Sequence, residues 1–229
     1  MSTATLPRRA KPRPKVATLP KPYGPRDAGV PLTLDEFERA DFVEGWRYEL
    51  LGGVLVVNPP PLEAERSGNE TLGHLLLNYQ EQHPLGKALD LTLPEQNIRT
   101  KFQNRRADRA IWAGLGRIPR TRCRPADRDP PTILVEFPSS RPADQRRDYI
   151  EKQREYKALG VREYWLIDRF RRTMTAFIRR GNRWTKKLLG ADETYHTPLL
   201  PGFDLPLKRL FSRMDVFGND EDDSLYLDD

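Results

Sequence analysis

The run Ile133-Leu134-Val135-Glu136-Phe137 limits the possible folds of this chain more than any other segment. Its apolar residues read as a buried strand, yet it carries a carboxylate. A charged carboxylate inside an apolar strand is costly unless it is paired, hydrogen-bonded or bound to a metal. The fold that buries this strand must therefore bring a partner to Glu136. Two readings are open at this point: a structural one, in which Glu136 lies at a sheet edge or meets an arginine, and a functional one.

The surrounding sequence supplies a mixed set of helices and strands. Thr33 followed by Glu36 has capping-box spacing ahead of Phe37 and predicts a short helix to about Val43. Two apolar runs around Gly52-Gly53 predict a hairpin over 48–57. Leu72, Leu75, Leu76 and Tyr79 recur at helical spacing within 63–82, although Gly68 and Gly73 weaken the first turns. Strands are expected near 88–93, 96–100 and 110–112, and an irregular arginine-rich loop follows to Pro131. A helix over 143–159 stopped by Gly160, a strand over 164–167 and a hairpin around Arg180-Gly181-Asn182 complete the pattern. There is no internal repeat.

Charge divides the chain further. The 229 residues carry a net charge of +6, but residues 1–30 hold seven Lys and Arg against Asp27, with six prolines, and read as an extended basic arm. Residues 215–229 hold seven acids and no base. What remains, 31–214, is a basic body of one-domain size, able to bury roughly 70% of its unfolded surface. No segment is long and apolar enough to cross a bilayer. The start of the chain does not resemble a secretory signal, and the lone Cys123 cannot form an internal disulfide; both fit a reducing, cytoplasmic setting.

Asp108 opens the strand segment Ala110-Ile111-Trp112. With Glu136 it offers oxygen ligands to a hard cation such as Mg²⁺. Asp148, Lys152 and Tyr156 follow four-residue spacing on one helical face. By spacing alone the first two form an ordinary solvated ion pair. His74, His83 and His196 lack metal-site spacing, and Cys123 has no histidine near it in sequence. Trp46, Trp112, Trp165 and Trp184 fit a core or sheet faces better than a base-stacking series. No glycine-rich phosphate loop with its lysine is present.

Tyr48-Glu49-Leu50 with Gly53, Arg106-Ala107-Asp108, Leu134-Val135-Glu136, and Asp148 through Lys152 and Tyr156 to Gly160-Val161-Arg162-Glu163-Tyr164-Trp165-Leu166-Ile167-Asp168 together resemble the putative restriction endonuclease family of the PD-(D/E)XK nuclease superfamily. The resemblance covers about residues 31–212, and the last segment is its most specific part. It implies a restriction-endonuclease-like α/β core, a mixed central β-sheet flanked by α-helices. Asp108 and Glu136 would match the family's metal-binding acids, and Glu49 the upstream glutamate that assists metal or water positioning. Pro138 stands two residues after the strand acid, where a lysine is often absent in this family, and Lys152 on the next helix is its natural replacement. Two departures are Ala107, in place of the usual proline, and a short Phe137-Pro138-Ser139-Ser140 turn.

The implied chemistry is Mg²⁺-dependent hydrolysis of DNA phosphodiesters, with Mn²⁺ as an alternative ion and Lys152 stabilising developing negative charge. Residues 99–128 hold ten bases against Asp108 and Asp127, and Arg105, Arg106 and Arg109 are the nearest candidates for DNA backbone contacts. A homodimer would suit an enzyme acting on two strands. The competing classes are a non-catalytic DNA-binding module and a protein-interaction factor with a degenerate nuclease fold.

Overall fold

Thr33 begins the first helix in the way its spacing implies. In the computed structural model, which describes residues 21–121, 129–139 and 146–218, Thr33 Oγ1 accepts the Glu36 N–H at 3.2 Å and Glu36 Oε2 accepts the Thr33 N–H at 2.8 Å. This closed capping box heads α1 (Leu34–Arg39). Next come β1 (Arg47–Leu51) and β2 (Val54–Asn58), an antiparallel pair joined through Gly52 and Gly53. Both glycines have positive φ, +58° and +79°, the conformation that a two-residue hairpin turn requires.

The long helix α2 (Glu63–Gln82) uses its two interior glycines for close approach. A Cβ at Gly73 would lie 2.6 Å from the Arg109 guanidinium, and one at Gly68 would lie 2.8 Å from Met214 Sδ. The two strands expected near 88–100 are one, β3 (Leu89–Arg99), which pairs antiparallel with β4 (Asn104–Ala113) through Pro94 and beyond. The remaining elements are β5 (Ile133–Glu136), a π-helical segment Arg147–Lys152 running straight into α3 (Gln153–Leu159), β6 (Glu163–Asp168), β7 (Thr173–Arg180), β8 (Arg183–Gly190), the short pair β9 (Thr194–Tyr195) and β10 (Leu205–Pro206), and α4 (Leu207–Asp215).

The eight-stranded sheet runs β2-β1-β4-β5-β6-β7-β8, with β3 paired to β4. Among the described strands of this sheet only β5 and β6 pair in parallel, so the sheet is mixed. Helices α2 and α4 cover one face through Leu72, Leu76, Leu210 and Phe211, packed on Ile111, Ile133, Val135 and Trp165. Helix α3 covers the other face, with Tyr156 against Leu134, Tyr164 and Leu166. The α/β class expected from the sequence is the one observed.

β4 is where the sheet divides. β3 lines one edge of it. The opposite edge meets β1 at Asn104 and β5 only from Arg109 to Ile111, which opens a fork at residues 105–108. The pleat also changes sense there. Arg105 contacts Glu155 of α3 and Arg109 contacts Asn69 of α2, although residues four apart on a regular strand share a face. Opposite this step, Glu95 of β3 takes a φ of +53°.

The chain ends need a corrected boundary. Residues 21–30, expected in the arm, are docked on the domain. Tyr23 forms a bridge with Phe42, and Val30 packs near Leu55. At the other end Asp215 closes α4 and pairs with Arg172 at 2.8 Å. Residues 1–20 of the arm, 219–229 of the acidic tail, Cys123 and the expected helix start at 143–145 lie outside the described residues.

Candidate active site

The fork in β4 brings the sequence-predicted acids together. One step beyond Arg109↔Val135, where the strand pairing ends, Asp108 and Glu136 are neighbours on adjoining strands, and Asp108 Oδ2 accepts the Phe137 N–H at 2.8 Å. Backbone groups that lack a neighbouring strand at the fork are taken by side chains. Glu49 Oε1 accepts the Arg106 N–H at 2.9 Å, Lys152 Nζ donates to the Arg106 carbonyl at 3.1 Å, and Asn69 Nδ2 donates to the Asp108 carbonyl at 2.8 Å. The second Glu49 oxygen accepts from Asn58 Nδ2 at 3.3 Å. Glu49 therefore fixes the β4 edge, and Asn69 joins the site from α2 although nothing in its sequence context singles it out.

Lys152 is the centre of the cluster. Its Nζ lies 2.8 Å from Glu136 Oε2 and 3.2 Å from Asp148 Oδ1, and Tyr156 Oη donates to Glu136 Oε1 at 3.2 Å. The four-residue spacing of Asp148, Lys152 and Tyr156 is thus a buried face of the π-to-α segment, not a solvated one. The arginine expected as a structural partner for Glu136 is replaced by this lysine. Burial works against the Lys152 ammonium, but Asp148, Glu136 and Glu49 outweigh it and hold the group above the ordinary lysine range. Burial pushes the Glu136 carboxyl up, with Asp108 and Asp148 adding to the rise against the pull of Lys152.

Asp108 faces a different setting. Its Oδ2 accepts the Phe137 N–H at 2.8 Å, and its Oδ1 is held by Arg47, which also reaches Glu95 at 2.6 Å. Burial would raise this carboxyl; Arg47, Lys152 and the Phe137 amide overcome it and keep the group below the usual carboxylate range. Asp108 lines a cleft of about 510 Å³ with Trp46, Arg47, Glu65, Arg66 and Arg106 among its walls. Glu136, 2% exposed, sits behind it. Glu65, on the first turn of α2, is pushed up to about 7 by burial and by Asp108; its sequence context carries no signal beyond an acid at a helix start.

Two of the three arginines expected to meet DNA are turned inward. Arg105 is 1% exposed and pairs with Glu155 at 2.6 Å, while Arg109 is 3% exposed and donates to Asn69 Oδ1 at 2.7 Å and Thr92 Oγ1 at 3.1 Å. The strand's change of pleat sends them into opposite layers, away from solvent. Arg106 stays at the cleft and pairs with Glu95 at 2.8 Å.

The donor chemistry fits a hard divalent cation. Asp108 and Glu136 supply carboxylate oxygens, and each of the four oxygens meets one donor of the described residues, leaving lone-pair positions on each. The cleft lining carries Glu65, Glu70, Glu95 and Asp108 beside Arg47, Arg66 and Arg106, so carboxylates are present in its wall together with cationic side chains. Among the described residues, no three His, Cys, Asp or Glu side chains form a preassembled metal cage, so water or substrate would have to complete the coordination shell.

A buried carboxylate on the neighbouring strand β6 is held differently. Glu163 accepts from Trp165 Nε1, Tyr195 Oη and Thr197 Oγ1 at 2.9, 2.9 and 2.7 Å, all neutral donors and all remote from the cleft residues. Glu136 has instead a cation and a second acid beside it.

The model of the Uma2 family, described as putative restriction endonuclease, matches residues 34–208. The chain belongs to the Uma2 family. Its fold resembles the crystal structure of a putative nuclease belonging to DUF820 from Anabaena variabilis ATCC 29413. The two are 19% identical, with a TM-score of 0.62 over 80% of this chain and 99% of the other. No curated protein matches the sequence. The Uma2 match spans every residue of the cluster, from Glu49 to Tyr156.

Proposed function

We propose that this Uma2 chain is a metal-dependent DNA endonuclease that hydrolyses phosphodiester bonds. The observation that carries the reading is the neighbouring pair Asp108 and Glu136 on adjoining strands, with Lys152 between Glu136 and the β4 backbone and Asp108 lining a cleft. The family description and the nuclease description of the Anabaena protein agree with it. Mg²⁺, or Mn²⁺ in its place, would be held by Asp108 and Glu136 and supplies polarisation of a phosphate and a nearby water. Lys152, kept protonated by its acid neighbours, stabilises negative charge developing on the phosphate. Glu49 is a positioning residue, because its carboxylate is spent on the Arg106 amide and Asn58.

A second reading, a DNA-binding module without catalysis, has one observation in its favour: Arg47 and Lys152 already give both acids cationic partners. Incubating the full chain with plasmid, linear duplex and single-stranded DNA in Mg²⁺, Mn²⁺ or EDTA separates the two. Cleavage in either metal and none in EDTA is the expected result. Salt-sensitive DNA binding with no cleavage in either metal would favour the module.

A further inference from the structure

Trp46 departs from the sequence expectation for the tryptophans. Trp112 and Trp165 are buried, and Trp184 packs against the core beneath α3. Trp46 is 40% exposed, and no aromatic ring among the described residues stacks on it. It lines the same cleft as Asp108, which also has Pro60 and Pro61 in its wall. It immediately precedes Arg47, the residue that holds Asp108. Arg66, exposed on the cleft wall, has no ion-pair partner among the described residues.

We propose that Trp46 is the stacking platform for an unpaired base of the DNA strand whose phosphate enters the Asp108 cleft. This rests on the nuclease reading and adds a substrate class to it, single-stranded or locally unpaired DNA. The indole offers an apolar face beside the reacting position, and Arg66 offers a cation to the adjoining phosphate. Every base has a π-face, so such a platform tolerates any sequence. Within a duplex the neighbouring bases cover those faces, and only an unpaired or extruded base can use the indole. At about 510 Å³ the cleft is in the range of sites that take one small ligand, which suits a single nucleotide.

The test is a titration of the full chain in EDTA, where no cleavage occurs, with a thymidine homopolymer of about twelve nucleotides and with a duplex, followed by anisotropy and tryptophan fluorescence. Trp46→Ala should weaken single-strand binding about 5- to 150-fold and leave duplex affinity within about twofold. Trp46→Phe should retain most of the affinity and lose the fluorescence quenching that wild type shows on binding. A single-strand affinity unchanged in W46A, an equal loss on duplex, or quenching that persists in W46F would each overturn the proposal. Failure here alongside Asp108-dependent cleavage leaves the nuclease reading intact. W46A-sensitive binding with no cleavage in any metal removes the catalytic reading and keeps the platform.

Discussion

Asp108→Asn should lower metal-dependent DNA cleavage by at least about 100-fold while the protein stays folded. Asparagine keeps an oxygen for the Phe137 amide, and Arg47 retains Glu95 as its ion-pair partner, so the loss falls on the charge offered to the cation. Glu136→Gln should behave likewise, because its carbonyl oxygen can still accept from Lys152 while its NH₂ donates to the Tyr156 hydroxyl. Alanine at position 136 is a poorer test, since it would leave the Lys152 ammonium buried beside fewer carboxylates. Initial rates on plasmid DNA, with thermal unfolding of each variant as the control, check this. Wild-type rates in both variants would remove the two acids from the chemistry.

The second large effect is on stability. Lys152→Met should cost about 3–5 kcal/mol, the penalty for leaving a buried charge without its partner, because Glu136 and Asp148 would then face each other without the ammonium that separates them. At about 2–4 °C per kcal/mol for a domain of this size, the midpoint should fall by about 6–20 °C. The deficit should depend on pH in a defined direction. Burial already raises the Glu136 carboxyl above its ordinary value of 4.5, and without Lys152 the rise is larger. The folded variant therefore binds more protons than the unfolded chain between 4.5 and that raised value, and stability falls as pH climbs through this window. Below it the penalty is relieved, so the gap from wild type should narrow as pH drops toward 4.5. Thermal melts at neutral and mildly acidic pH measure it. A gap that stays constant or widens on acidification would contradict the buried cluster.

The elements legible in the sequence are those whose signals are local. The capping box at Thr33, the glycine pair of the first hairpin, the periodic run of α2 and the turn at Gly181 depend on neighbours a few residues away, and each stands where the sequence places it. β4 is longer than its apolar run because its first residues, Asn104, Arg105 and Arg106, are polar. Their placement depends on partners far along the chain, Glu155 for the buried Arg105 side chain and Glu49 for the Arg106 amide. Pro94 suggests a break in β3, although a missing N–H there does not interrupt the pairing with β4. Helix α4 has no counterpart among the sequence expectations, despite Leu207, Leu210, Phe211 and Met214 at helical spacing, all buried.

The candidate site shows the same division. The unexpected carboxylate in an apolar strand is visible without any structure, and so is the spacing of Asp148, Lys152 and Tyr156. Their meeting is not, since it requires α3 to cross the face on which Glu136 lies. The arginines mislead for a related reason. Basic residues in a run suggest a solvated surface, but the change of pleat at Asp108 buries Arg105 and Arg109 in opposite layers. Trp46 looks like the core tryptophans in sequence because exposure at a cleft leaves no periodic trace.

The claim that Asp108 and Glu136 share one divalent cation is tested most directly by Mn²⁺ binding to the metal-free full chain, measured by electron paramagnetic resonance without DNA. A shared site predicts saturable binding in wild type that weakens at least about tenfold in both Asp108→Asn and Glu136→Gln. Binding of equal strength in all three proteins, or its loss in only one variant, would contradict a site built from the pair.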